Sequence, residues 1–127
     1  MHADYSITFF YYEDLAPIAS FYEEVLGFEL VLDQDVARIY RIATGSFFGI
    51  VDGNRGYLQQ QPRSAALLTI VAEDVAGWHA RLKASGVLQL TDIMRGRYCE
   101  HFFFEDPGGY AVEVQRFHDP VIAALFA

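Results

Sequence analysis

The sequence predicts an α+β protein built from two βαβββ modules in tandem, and three observations carry that expectation. Asp14-Leu15-Ala16 opens an apolar-striped stretch that ends in Leu26-Gly27-Phe28, and the pattern returns as Asp74-Val75-Ala76 with a stretch ending in Gly86-Val87. Each copy is preceded by strand-forming residues, Ile7 to Tyr12 and Leu67 to Val71. Each is followed by several more strand-like runs. A repeat present only twice does not suit a solenoid, which needs at least three units to bury a continuous core.

Asp4 to Tyr12 is the first strand, rich in β-branched and aromatic residues. Asp14 can accept hydrogen bonds from the open amides of a first helical turn. Pro17 still falls within that turn, where no intrahelical amide bond is lost. Ile18, Phe21, Tyr22, Val25 and Leu26 recur at the spacing of one helical face. Gly27 supplies the left-handed residue past the helix end. Phe28 to Leu32, Val36 to Ile42 and Phe47 to Asp52 read as three strands, separated by Asp33-Gln34-Asp35 and Ala43-Thr44-Gly45-Ser46.

Gly53 to Ser64, rich in Gln and carrying Asn54-Arg55-Gly56 and Pro62, reads as the linker. Ala66 to Ala72 begins the second copy. Asp74 caps its helix, Val75, Trp78 and Leu82 form the buried stripe, and Gly86 ends it. Val87 to Met94, Arg97 to Glu105 and Tyr110 to Phe117 are the remaining strands. The last two are joined by Asp106-Pro107-Gly108-Gly109, strong turn chemistry. Asp119-Pro120 then starts a short segment with no polar face, and such a helix is normally buried. It would pack on its own sheet, or else across a dimer or over a pocket mouth. The expected organisation is one domain over 1–127: module one about 4–58, linker 53–64, module two about 65–117, and an apolar tail 118–127.

Composition narrows the function. At 127 residues, 53% hydrophobic and 16% aromatic, the chain can bury a sizeable core and is far from disordered. No apolar run approaches the roughly 18–20 residues that span a bilayer, and Met1 to Tyr5 lacks the regions of a signal peptide. Cys99 is the sole cysteine, so no internal disulfide forms and a cytoplasmic location is expected. A net charge of −8 repels nucleic acid and anionic membrane alike. The expected partner is a small molecule or a second copy of the chain.

Asp14-Leu15 leading to Phe21-Tyr22 and Val25-Leu26-Gly27-Phe28 forms one set of motifs. Asp74-Val75 with Trp78-His79-Ala80-Arg81-Leu82 forms another, and Phe104-Glu105-Asp106-Pro107-Gly108-Gly109 running to Val112-Glu113-Val114 a third. Together they resemble the vicinal oxygen chelate superfamily: glyoxalase I, extradiol dioxygenases, and fosfomycin- and bleomycin-resistance proteins. The resemblance covers about Asp4 to Phe117. It implies mixed, mostly antiparallel sheets curling around a shared trough with helices outside, and pairing into a homodimer. The scaffold hosts many functions, so the motifs specify fold far better than activity.

In metal-using members, the resemblance implies, the ion is held by the first and last strands of each module. Counted from the capping and turn aspartates, three of those positions are Ile7, Leu67 and Glu113, and the counterpart of Glu113 in the first module lies near Gly49. A divalent ion of the zinc, nickel or manganese kind needs three or more N, O or S donors at about 2.0–2.3 Å. Only Glu113 supplies one. No metal and no cofactor is expected.

The same register turns Cys99, His101 and Phe103 inward on the seventh strand, and Glu113, Gln115 and Phe117 on the eighth. Phe103 then faces Glu113, with His101 on the diagonal. His101 reads either as a pocket or core histidine bonded to a neighbour or as an acid/base or ligand hook paired with Glu113; metal ligation is its least supported role. Glu113 and His101 are thus the catalytic candidates. A carboxylate in an apolar trough costs on the order of several kcal/mol unless paired or protonated. Arg38, Arg41, a tyrosine, water or a ligand donor could meet it. His79 belongs at the core edge or surface, and Cys99 has no basic helix terminus beside it to make it a nucleophile.

The aromatics give the positive signal. Ile7, Phe9, Tyr11, Leu67, Thr69 and Phe103 share the inward parity, and Tyr40 could join them. With Glu113, His101, Gln115 and Thr69 as polar groups and Arg38 as a further candidate, such a trough suits a flat or amphipathic organic ligand better than a hydrated anion. The leading expectation is a metal-independent binder of a small organic molecule, as in the bleomycin-resistance branch. The alternative is a metal-dependent lyase, isomerase or dioxygenase using Glu113 and ligands outside the family pattern. A third reading has the trough packed shut and the protein acting only through its dimer. Whether the chain is an enzyme stays open.

Overall fold

The structure, a computed structural model, describes residues Met1–Ala127. The chain divides into two compact units, Met1–Ser64 and Ala65–Ala127, each with one four-stranded mixed sheet and helical elements. The fold class is α+β, and the order βαβββ occurs twice.

In the first unit, β1 (Ser6–Tyr12) leads to α1 (Leu15–Ser20), a π-helical turn (Phe21–Val25), β2 (Glu29–Asp33), β3 (Ala37–Ala43) and β4 (Ser46–Asp52). The sheet order is β1-β4-β3-β2, with β1 parallel to β4 and the other pairs antiparallel. A parallel pair cannot be closed by a tight hairpin, so the helical segment carries the chain across. Asp14 caps α1 through the amide of Ala16 at 3.2 Å. The helix then widens, with the amide of Leu26 reaching the carbonyl of Phe21 at 3.1 Å, and Gly27 takes the left-handed φ of 71° that ends it. Ile18, Phe21, Tyr22 and Leu26 are buried as the stripe requires, together with Phe10, Tyr12, Tyr40, Phe48 and Ile50 from the strands.

Part of the segment read as a linker is tied to this unit. The amide of Gly53 bonds to the carbonyl of Tyr12 at 2.8 Å, and the side chain of Asn54 donates to the carbonyl of Glu13 at 3.0 Å. Gln60 accepts from the amide of Glu13 at 2.9 Å.

In the second unit, β5 (Leu67–Val71) leads to α2 (Val75–Ala84), β6 (Met94–Arg95), β7 (Cys99–Glu105) and β8 (Ala111–Phe117). The order β5-β8-β7-β6 repeats the first sheet, with β5 parallel to β8. Asp74 caps α2 through the amide of Gly77 at 2.9 Å. Val75 and Leu82 are buried with Ile70, Phe102, Phe104, Val112 and Val114, while Trp78 is only half-buried.

Two sequence expectations need correction here. Val87 to Met94 is not a continuous strand: Leu88 makes one isolated bridge to Glu105, and regular pairing begins only at Met94. Gln89 holds a positive φ of 54°, which turns the chain out of the sheet. Thr91 replaces part of the ladder with its side chain, its hydroxyl accepting from the amide of Phe103 at 2.9 Å. The apolar tail, for its part, is not buried within this chain. Asp119 caps α3 (Pro120–Ala123) through the amide of Val121 at 2.9 Å, and a 3₁₀ turn (Ala124–Phe126) follows. Neither piece has a buried residue, and Leu125 is 75% exposed. Its one ring contact is Phe126 stacked on Phe117, centroids 5.3 Å apart. No helix is long and apolar enough to cross a membrane.

Candidate functional site

Side chains alternate across a strand, so each sheet has a face under its helix and a face without one. In the second unit the ring of Phe102 meets His79 of α2 at 4.9 Å, which identifies the even-numbered residues of β7 as the helix side. Cys99, His101 and Phe103 therefore stand on the helix-free face. Strand register places Thr69, Glu113 and Phe103 side by side across β5, β8 and β7, with Val71, Gln115 and His101 as the next row.

Parallel pairing of β5 and β8 decides the partner of Glu113. The Thr69 hydroxyl donates to Glu113 Oε1 at 2.8 Å, engaging one carboxylate oxygen with a neutral group. The arginines considered from the sequence are committed elsewhere. Arg38 donates to Glu23 at 3.1 Å and lies 3.4 Å from Asp33. Arg41 pairs with Glu29 at 3.0 Å and lies over the ring of Phe47 at 5.0 Å.

His101 does not pair with Glu113. Its register partner is Gln115, its Nδ1 lies 3.6 Å from Cys99 Sγ, and its ring packs edge-on against Phe103 at 5.5 Å. The Cys99 thiol is pushed up from its ordinary pKa, first by burial and then by the negative charge of Glu113. Iodoacetamide should accordingly alkylate Cys99 a few-fold more slowly than free cysteine near pH 8, and Glu113→Gln should speed the reaction. Equal rates in wild type and variant, followed by mass spectrometry, would contradict the placement of that carboxylate.

Around this polar row the face is hydrocarbon and accessible. Leu67 is 46% exposed and Val71 is 59% exposed, and Phe103 is half-buried. Val71 was not singled out by sequence reasoning, although its parity with Leu67 and Thr69 was the available signal.

The helix-free face of the first unit carries Ile7, Phe9 and Tyr11. Phe9 pairs in register with Gly49, and its ring lies so close over that glycine that an added Cβ would collide with the ring carbons. Tyr40 and Arg38 belong to the other face, which corrects their assignment to the ligand side. Tyr40 is fully buried against Tyr22 of the π-helical turn, at 6.2 Å between centroids, and its hydroxyl donates to Glu23 at 2.7 Å. Burial and that hydrogen bond push its pKa well up, so it stays neutral at physiological pH. Glu23 went unremarked in the sequence; an acid within an aromatic-rich helical stretch was the only hint of it.

No group of three or more His, Cys, Asp or Glu side chains is gathered in a way that could hold a metal ion. Ile7 and Leu67 present hydrocarbon, Gly49 is covered by Phe9, and Glu113 is turned to Thr69.

Comparison with known proteins follows the same lines. The sequence profile described as Glyoxalase/Bleomycin resistance protein/Dioxygenase superfamily matches residues 5–114. No curated protein matches the chain. Among solved structures, it is similar to a lactoylglutathione lyase from Agrobacterium tumefaciens at 20% identity, TM-score 0.72, covering 91% of this chain and 94% of the other. A glyoxalase/bleomycin resistance protein/dioxygenase from Nocardioides aligns at 13% identity, TM-score 0.74, covering 94% and 87%. A fosfomycin resistance protein, FosX, from Listeria monocytogenes aligns at 19% identity, TM-score 0.67, covering 91% and 94%. At such identities these likenesses speak for the fold alone.

Proposed function

This chain belongs to the glyoxalase/bleomycin resistance protein/dioxygenase superfamily, and from that premise we propose that it binds a small organic molecule without a metal ion, as a homodimer. The observation that carries the reading is the helix-free face of the second sheet. It carries accessible apolar side chains beside Glu113, a carboxylate whose protein partner is the Thr69 hydroxyl. Such a surface, with few polar groups set among aromatic and aliphatic ones, is the composition of small-molecule sites. His101, Gln115 and Thr69 are the further polar contacts on this face, and Leu67 and Phe103 its apolar ones.

The donor set argues against a resident divalent ion. Such an ion needs three or more donors at about 2.0–2.3 Å, and the hydrocarbon of Ile7 and Leu67 provides none. Pairing into a dimer is supported by the exposed apolar tail, since segments with no polar face are normally covered.

Apolar aromatic fragments should therefore stabilise the protein in a thermal-shift screen and compete with one another. Phe103→Ala should weaken them by about 0.5–1.5 kcal/mol beyond the loss of contact area. Protein purified without chelators should carry far less than one transition metal per chain, and EDTA should leave its Tm unchanged. Stoichiometric metal by elemental analysis would overturn the metal-independent reading in favour of the enzyme alternative. A monomer by light scattering would remove the dimer.

A further inference from the structure

We infer that the ligand taken by the helix-free face of the second sheet is an organic cation: a primary or secondary amine carrying an aromatic or aliphatic body. This rests on the binding reading above and adds the charge of the ligand to it. Glu113 has two carboxylate oxygens, and Thr69 occupies Oε1 alone. Oε2 is left as an acceptor on a half-buried side chain with no protein donor. Thr69 also fixes the orientation of the group, because a carboxylate held at one oxygen presents the other in a defined direction.

No lysine or arginine of the four strands stands on this face to compete for Glu113. The only arginine or lysine residues in β5, β6, β7 and β8 are Arg95 and Arg116. Both lie at the parity of the helix side, each registered with Glu100, and Arg116 is paired to Glu100 at 3.2 Å. The titratable groups at helix-free parity are Cys99, His101, Glu105 and Glu113. An anionic ligand would meet carboxylates with no fixed counter-charge. A neutral ligand without a donor would bury Oε2 unsatisfied. An ammonium supplies both donor and charge, and charge-assisted hydrogen bonds are about twice as strong as neutral ones.

The surroundings suit the rest of such a molecule. Phe103 is the direct register neighbour of Glu113, so a cation bonded to Oε2 lies beside an aromatic ring, which attracts it further. Leu67 and Val71 flank Thr69 on the same face and offer hydrocarbon to an apolar body. A net charge of −8 on the whole chain favours approach of a cation and opposes that of an anion.

The test uses three probes of one shape: 2-naphthylmethylammonium, 2-naphthylmethanol and 2-naphthoate. Each is titrated into the full chain and followed by amide chemical shifts of β5, β7 and β8. The ammonium should bind at least about tenfold more tightly than the alcohol, and the naphthoate should bind weakest. Glu113→Gln keeps an oxygen for Thr69 and removes the charge. It should abolish the preference for the ammonium over the alcohol, a change that general attraction to an acidic protein would not produce. Equal affinity of ammonium and alcohol, or a preference that survives in Glu113→Gln, would overturn the cation inference and leave the binding face standing. If none of the three probes shifts those amides, the binding reading falls and the inference with it.

Discussion

Asp106→Ala is expected to destabilise the second unit by about 3 kcal/mol, among the largest single effects available in this chain. The side chain is fully buried. Its Oδ1 accepts from the amide of Gly108 at 2.9 Å and from the amide of Tyr110 at 3.0 Å. Backbone bonds from Gly109 to Asp106 at 3.0 Å and from Asp106 to Tyr110 at 2.9 Å close the same turn, where Gly109 holds a φ of 89°. Alanine would strand two amides without their acceptor, and each unsatisfied buried donor costs about 1–3 kcal/mol. Asp106→Asn keeps an oxygen in place and should cost clearly less. Chemical denaturation of both variants measures this, and a loss below about 1 kcal/mol for alanine would mean that the amides find other acceptors. The effect should also reach function, because this hairpin sets Phe103 opposite Glu113. Naphthyl probes should bind Asp106→Ala more weakly even where it remains folded.

Tyr22→Ala should cost about 3–5 kcal/mol in the first unit by leaving a large cavity. The Tyr22 ring is fully buried and meets four others: Phe48 at 4.9 Å, Phe21 at 5.3 Å, Phe28 at 6.0 Å and Tyr40 at 6.2 Å. The π-helical turn gives this cluster its position, since it carries both Tyr22 and Glu23, the acceptor for Tyr40. Loss of the ring should therefore alter the near-ultraviolet circular dichroism of the tyrosines as well as the denaturation midpoint. A midpoint shift equivalent to less than about 2 kcal/mol would show that the neighbouring rings collapse into the space.

The two βαβββ modules were legible in the sequence because their signals are local. Caps at Asp14 and Asp74, left-handed glycines at 27 and 86, and the Asp106 turn act over a few residues, and the structure has each in place. Strand alternation is equally local, so once the family resemblance sets the register, the sidedness of Ile7, Phe9, Tyr11, Cys99, His101 and Phe103 follows from counting. It failed on β3, where Ile39, Tyr40 and Ile42 leave both faces apolar and a one-residue shift exchanges them. Val87 to Met94 was misread for a related reason. Its residues favour a strand, but Gln89 adopts the left-handed conformation and Thr91 bonds through its side chain, choices set by the neighbouring β7.

What the sequence by itself determined is the α+β class, the repeat, the carboxylate at 113 and the hydrocarbon at 7 and 67. Tertiary structure alone decided what those residues meet. Thr69 reaches Glu113 because β5 lies parallel to β8, Phe9 covers Gly49 because β1 lies parallel to β4, and His101 turns to Cys99 and Phe103. Arg38 and Tyr40 go to Glu23 because the helical segment packs on their side of the sheet. Periodicity tells a side chain which face to take, whereas its partner depends on which distant strand becomes its neighbour, and that choice is made only when the core closes.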